Sequence, residues 1–207
     1  QAHIFRKVRF RPAEAKVVAH DAETTELLFR MCRRFYDNLP EEEQLPTESY
    51  HRKGLIFSAP HSGSISIGTA GTETTGRGGT TMYLHCSEVA YYRDADTVMI
   101  SLLNSVPDVL GSMVILESTA NGMGGYFHSA WLKAKAGLSS FIPLFFSWKD
   151  FPEYSKRVPN PNLFESSLTA YERKIRVQHT LTLEQLYWRR ETIANKLDGS
   201  EAKFCQE

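Results

Sequence analysis

The sequence predicts an α/β fold with a largely parallel central sheet, and three observations carry that prediction. Met82-Tyr-Leu-His-Cys86 is a short apolar run that ends abruptly in Ser87 and Glu88. Such a run, bounded by polar residues, reads as a parallel strand buried on both faces. Met113-Val-Ile-Leu-Glu117 repeats the pattern and breaks into Ser118, Thr119, Ala120 and Asn121. Finally, segments of strand and helix character alternate through residue 148, with connections suited to βαβ units. Ligands of open α/β sheets bind outside the carboxyl ends of the strands. The polar groups after Cys86 and Leu116 are therefore the first place to look for chemistry.

The elements follow in order. Residues 2 to 10 read as the end of a helix closed by Pro12, and Ala15 to His20 as a buried strand. Asp21 offers an N-cap to a helix whose apolar face would be Leu27, Leu28, Met31, Cys32 and Phe35. Pro40 and the acidic run Glu41 to Glu43 end it. Gly54 to Ser58 and Ser64 to Gly68 are two short strands joined by Ala59-Pro-His-Ser-Gly63, a hairpin-like signal. Asp94 and Asp96 precede Val98, Ile100, Leu102 and Leu103 in a helix, where first-turn acids favour the helix dipole. A metal-binding Asp-x-Asp is the less favoured reading. Asn121-Gly-Met-Gly-Gly125 is a loop before a helix bearing Phe127, Trp131 and Leu132. Ser140 to Trp148 reads as a further strand, with Pro143 marking an edge or bulge. The linker Pro159-Asn-Pro-Asn162 leads to a helical tail, where Thr182 and Gln185 have capping-box spacing. Leu183, Leu186, Tyr187, Ile193 and Leu197 give the apolar stripe that follows. The expected domains are residues 1–158, an α/β core, and 159–207, a helical segment.

Composition narrows the class. The 207 residues suffice for one sizeable α/β domain, alone or with an appendage. Lys plus Arg and Asp plus Glu both number 24, so the totals do not describe a strongly basic nucleic-acid binder. Local basic groups at Arg6 to Arg11, Arg33-Arg34 and Arg189-Arg190 read first as solvated helix faces. Three cysteines without CxxC spacing argue for a reducing compartment, without a zinc site or a disulfide framework. No apolar run approaches the roughly 20 residues of a membrane span. The first residues, Gln1-Ala-His-Ile-Phe-Arg6, read as the middle of a helix, and the expectation is an internal piece of a longer polypeptide.

A Gly-rich loop, Gly76-Arg-Gly-Gly-Thr-Thr81, precedes the Met82 strand. It is not a phosphate-binding P-loop: it lacks the Lys, and it leads into a strand instead of following one. Arg77 in this loop is a candidate for phosphate charge or DNA backbone, with a plain surface Arg as the alternative. In ATPases that use a carboxylate base, the catalytic strand ends in Asp-Glu; the Asp holds the Mg²⁺ shell and the Glu orients the attacking water. Glu88 fits the second part, against the alternative of an acid that simply ends a strand. Ser87, a neutral hydroxyl, supplies no charge to Mg²⁺, so the ion would depend on nucleotide phosphates. Ser118 and Thr119 beside that strand suit a γ-phosphate sensor or an ST-turn. His85 and Trp148 read as packed core.

Taken together, these stretches resemble the ATPase domain of the large subunit of a tailed-bacteriophage terminase, the viral DNA-packaging motor. The resemblance rests on Val17-Val-Ala-His-Asp-Ala-Glu23, Gly76 to Thr80 leading into Leu84-His-Cys-Ser-Glu-Val-Ala90, and Glu117-Ser-Thr-Ala-Asn-Gly122. Leu183 to Trp188 and Phe204 to Glu207 close the set, in the family's order and over nearly the whole chain. It implies a RecA-like P-loop NTPase fold with Glu88 as the Walker B glutamate and Ser87 contacting Mg²⁺ through bound water. Glu117, Ser118 and Thr119 would form the coupling motif, and Arg77 would lie near the nucleotide. ATP would be the substrate and Mg²⁺ the cofactor. Implied partners are double-stranded DNA, the portal protein and the small terminase subunit, in a homo-oligomeric ring on the portal. The implied setting is the host bacterial cytoplasm, transiently at the procapsid portal, with no membrane. The Walker A loop would lie upstream of Gln1 and the nuclease domain beyond Glu207, so the piece alone is expected neither to bind nor to split ATP. A helicase-type DNA translocase and a non-catalytic α/β interaction module stay open as alternatives.

Overall fold

The structure, a computed structural model, describes residues 1–51, 54–72 and 80–206. Arg77 and its Gly-rich loop lie outside the described residues.

The sheet is built outward from β1 (Glu14–Ala19), in which Ala15, Val17, Val18 and Ala19 are all buried. β1 pairs in parallel with β4 (Ser64–Thr69) on one side and β5 (Tyr83–Ser87) on the other. β5 pairs in parallel with β6 (Met113–Glu117), as the two apolar runs predict. Beyond β4 the direction reverses. β3 (Gly54–Phe57) runs antiparallel to β4, and β2 (Thr47–His51) antiparallel to β3. The described sheet has six strands in the order β2-β3-β4-β1-β5-β6. The sequence did not foretell β2: Thr47-Glu-Ser-Tyr-His51 has no apolar run, and β3 supplies the ladder that makes it a strand.

Adjacent residues of β1 serve opposite faces, as a side-chain period of two requires. Val17 joins the core beneath α1 (Ala2–Arg9) and α2 (Ala22–Asp37), with Ile4, Phe5, Leu28, Phe29 and Tyr83. Val18 joins the core beneath α3 (Ala95–Asn104), with Leu84, Cys86, Val89, Met99 and Leu102. Asp21 caps α2 as expected, its Oδ1 accepting the Thr24 N–H at 2.7 Å. The apolar face of α2 needs correcting. Leu27 and Met31 are 49% and 40% exposed, whereas Leu28 and Cys32 are buried as expected and Phe29 joins them. Leu27 and Leu28 both suit an apolar stripe, and the side the sheet occupies chooses between them.

The chain divides into two compact units, Gln1–Lys133 and Ala134–Glu207, with α4 (Gly125–Lys135) running through the division. The expected boundary at 158/159 falls inside the second unit. That unit is helical: α5 (Pro161–Ser166), α6 (Ala170–His179), α7 (Leu183–Lys196) and α8 (Glu201–Gln206). Capping boxes start two of these helices, Thr169 with Glu172 on α6 and Thr182 with Gln185 on α7. The core is Val158, Phe164, Leu168, Ile175, Leu181 and Leu186. Against it packs the half-buried Trp148, stacked on Trp188 at 5.4 Å. The buried Glu172 meets Arg190 in a two-pronged ion pair at 2.9 and 2.6 Å.

The expected strand at 140–148 does not form. Residues 141–147 join no ladder, Ile142, Leu144, Phe145 and Phe146 are exposed, and Trp148–Asp150 is a 3₁₀ turn. Pro143 also has no N–H to give a ladder.

Candidate active site at the carboxyl edge of the sheet

β5 ends in Ser87, and the chain turns sharply at Glu88, which has φ 57° and ψ 48°. A side chain in this left-handed conformation costs about 1–3 kcal/mol and persists where surrounding structure enforces it. Here it falls where the ladder ends. Ser87 pairs with Glu117 across the ladder, so the residues that follow, 88 and 118, leave the sheet side by side. Glu88 Oε2 then accepts three hydrogen bonds: from Ser118 Oγ at 3.2 Å, Thr119 N at 3.1 Å and Thr119 Oγ1 at 3.2 Å. Such charge-assisted bonds are the stronger kind, and together they fix the carboxylate in place.

The two turns are laced together further along. Ala90 N donates to Ser118 Oγ at 3.1 Å, and Asn121 Nδ2 donates to Ala90 O at 3.1 Å. The Tyr91 hydroxyl reaches Ala120 O and Thr119 Oγ1, each at 3.4 Å. Ala90 N belongs to the first turn of the short 3₁₀ helix Val89–Tyr91, where backbone donors lack intrahelical partners.

The expected site residues thus form two groups. Glu88, Ser118 and Thr119 are together. Ser87 and Glu117 make a separate pair, joined by His85, whose Nε2 lies 3.4 Å from Glu117 Oε1. His85 and Ser87 are two apart on β5 and so share a face. Burial resists ionisation of Glu117, but hydrogen bonds from His85 and Ser87 outweigh it and hold the carboxyl below its ordinary range. His85 is buried, as the sequence indicated, and it is also the partner of an acid.

Sequence reasoning missed two residues at this edge. His20 follows β1, with Nε2 3.0 Å from Asp21 Oδ2, and its ring lies 5.8 Å from that of Tyr91. His20 stands inside one of the stretches that carried the resemblance, and that was its only signal. Tyr91 gave none: it matters because the 3₁₀ turn brings it back over Thr119.

Asp94 and Asp96 sit at the start of α3 as expected, and Asp94 Oδ1 accepts a hydrogen bond from Thr97 Oγ1 at 3.0 Å. Among the described residues, no group of three or more His, Cys, Asp or Glu side chains is placed to hold a metal. No described helix is long and apolar enough to cross a membrane.

No family model and no curated protein matches the sequence. Among solved structures, the large terminase of bacteriophage HK97 is similar, with a TM-score of 0.58 and 14% sequence identity. The likeness covers 95% of this chain and 39% of that one. At this identity it is a likeness of fold. The chain has a terminase-like α/β fold, a six-stranded and mostly parallel sheet flanked by helices.

Proposed function

We propose that this chain is part of an ATPase that moves double-stranded DNA, the packaging motor of a tailed bacteriophage, with Glu88 as its general base. The observation that carries the proposal is the pinning of one carboxylate, Glu88, by the backbone and hydroxyls of the neighbouring strand's end. Positioning supplies most of the catalysis in phosphoryl transfer, so a base there must be held in a fixed place. The fold likeness to a phage terminase and the ordered motifs support the same reading.

In this reading Glu88 takes a proton from water as the water oxygen bonds to the γ-phosphorus, and the bond to the ADP oxygen breaks. Ser118 and Thr119, hydrogen-bonded to that carboxylate, register its engagement and pass it along the β6 turn. The chain's own donors fit Mg²⁺ weakly: the Ser87 hydroxyl is bonded to Glu117 and would reach the ion only through bound water. When bound with ATP, Mg²⁺ would neutralise phosphate charge, held largely by the nucleotide. DNA, portal, small subunit and a ring of like subunits are the partners this reading calls for. Arg77 would serve phosphate or DNA from outside the described residues.

The test is Glu88→Gln in the full-length protein. ATP binding should persist, and DNA-stimulated turnover should fall by roughly 10²–10⁴-fold. Turnover within about threefold of wild type would overturn the assignment, because loss of a base costs far more.

A further inference from the structure

The Thr119 hydroxyl has one hydrogen and two acceptors within reach, Glu88 Oε2 at 3.2 Å and the Tyr91 oxygen at 3.4 Å. It cannot serve both at once. The Tyr91 hydroxyl has its own acceptor, Ala120 O at 3.4 Å, and its ring is seated against His20 at 5.8 Å. His20 is in turn 3.0 Å from Asp21, the residue that caps α2. Tyr91 therefore stands between Thr119, which donates to the Glu88 carboxylate, and the ring of His20, which follows β1.

We propose that Tyr91 is a positioning residue for Glu88, acting through Thr119; this rests on the reading of Glu88 as the base. With the site idle, Thr119 donates to the Glu88 carboxylate, the stronger acceptor because it is charged. Tyr91 then donates to Ala120 O and holds the Thr119 turn in register. When Glu88 turns to the attacking water, the Thr119 hydrogen passes to the Tyr91 oxygen by rotation about one bond, and no proton leaves Thr119. The Tyr91 ring, packed on His20, carries that change toward the Asp21 cap. The 3.4 Å contacts are long for hydroxyl bonds, as catalytic contacts are before substrate tightens them.

The test is a double-mutant cycle on ATP turnover in the full-length protein, using Tyr91→Phe, Thr119→Val and both together, beside Glu88→Gln. Tyr91→Phe keeps the ring and removes only the hydroxyl. It should lower kcat by roughly 5- to 10-fold, the value of one hydrogen bond, with KM for ATP within about twofold. In the Thr119→Val background the same change should do nothing further, and in Thr119→Ser, which keeps the hydroxyl, its effect should return. An unchanged kcat in Tyr91→Phe would overturn the proposal. So would a full additional loss in the Thr119→Val background, since Tyr91 would then act by another route. A Glu88→Gln variant that keeps its turnover removes the underlying reading. An inactive Glu88→Gln with additive Tyr91 and Thr119 effects removes this inference alone.

Discussion

Residues 1–133 and 134–207 reach order by opposite routes. In the first unit, β1 is held by strands that follow it by about fifty and seventy residues, and every residue of β5 is buried between its neighbours. In the second, helices α5 to α7 each open with a side-chain cap drawn from within three residues, and a small apolar core closes over them. One unit depends on long-range pairing and the other on local signals with modest packing. The first arrangement can bring distant side chains to one edge, as Glu88, Ser118 and Thr119 show; the second gathers a small core from neighbouring helices.

The contrast is open to direct attack. Leu84 and Leu186 are both fully buried, one in each unit. Leu84→Ala should cost about 2–5 kcal/mol through lost burial and the cavity left behind. Hydrogen exchange should speed in β1, β5 and β6 and leave α6 and α7 protected. Equal loss of protection in α6 and α7 would mean that the two units unfold as one.

A smaller effect is expected at Glu172. Burial resists its ionisation, but hydrogen bonds from Arg190 and Thr169 hold its carboxyl below the ordinary range. A depressed carboxylate stabilises the fold above its ordinary pKa of about 4.3, and that stability is lost as pH falls through the lower folded value. Glu172→Gln should therefore destabilise at pH 7 by about 1–3 kcal/mol, with Arg190 partly exposed. The penalty should shrink in acid, read as urea midpoints between pH 7 and 3. A penalty independent of pH would assign the effect to packing.

The mildest test needs no substitution. Burial pushes the thiols of Cys32 and Cys86 up to about 12, while Cys205 is exposed. At pH 8 a thiol reagent should label Cys205 promptly and the other two only on unfolding. Rapid labelling of Cys86 would show that the sheet opens locally at β5.

Much of the fold was legible because its signals are local. The apolar runs ending at Ser87 and Glu117, the Asp21 cap and the Thr182 to Gln185 box all form as read. The misses share one cause. Phe141-Ile-Pro-Leu-Phe-Phe146 is as apolar as β6, yet it has no ladder; Thr47 to His51 is polar, yet β3 makes it a strand. A strand is defined by its partner, and composition does not name the partner. For the same reason the sequence marked Glu88, Ser118 and Thr119 as candidates but was silent on Tyr91.

The sequence by itself determined that helices follow Asp21 and Thr182, that the tail is helical, and that two apolar runs end in polar groups. These follow from spacing, caps and hydrophobic period, all encoded within a few residues. Only the tertiary structure decided that Ser87 lies opposite Glu117, that α2 buries Leu28 instead of Leu27, and that three donors converge on Glu88. Those choices are made by pairing register and by which face the sheet covers, and both depend on groups distant along the chain.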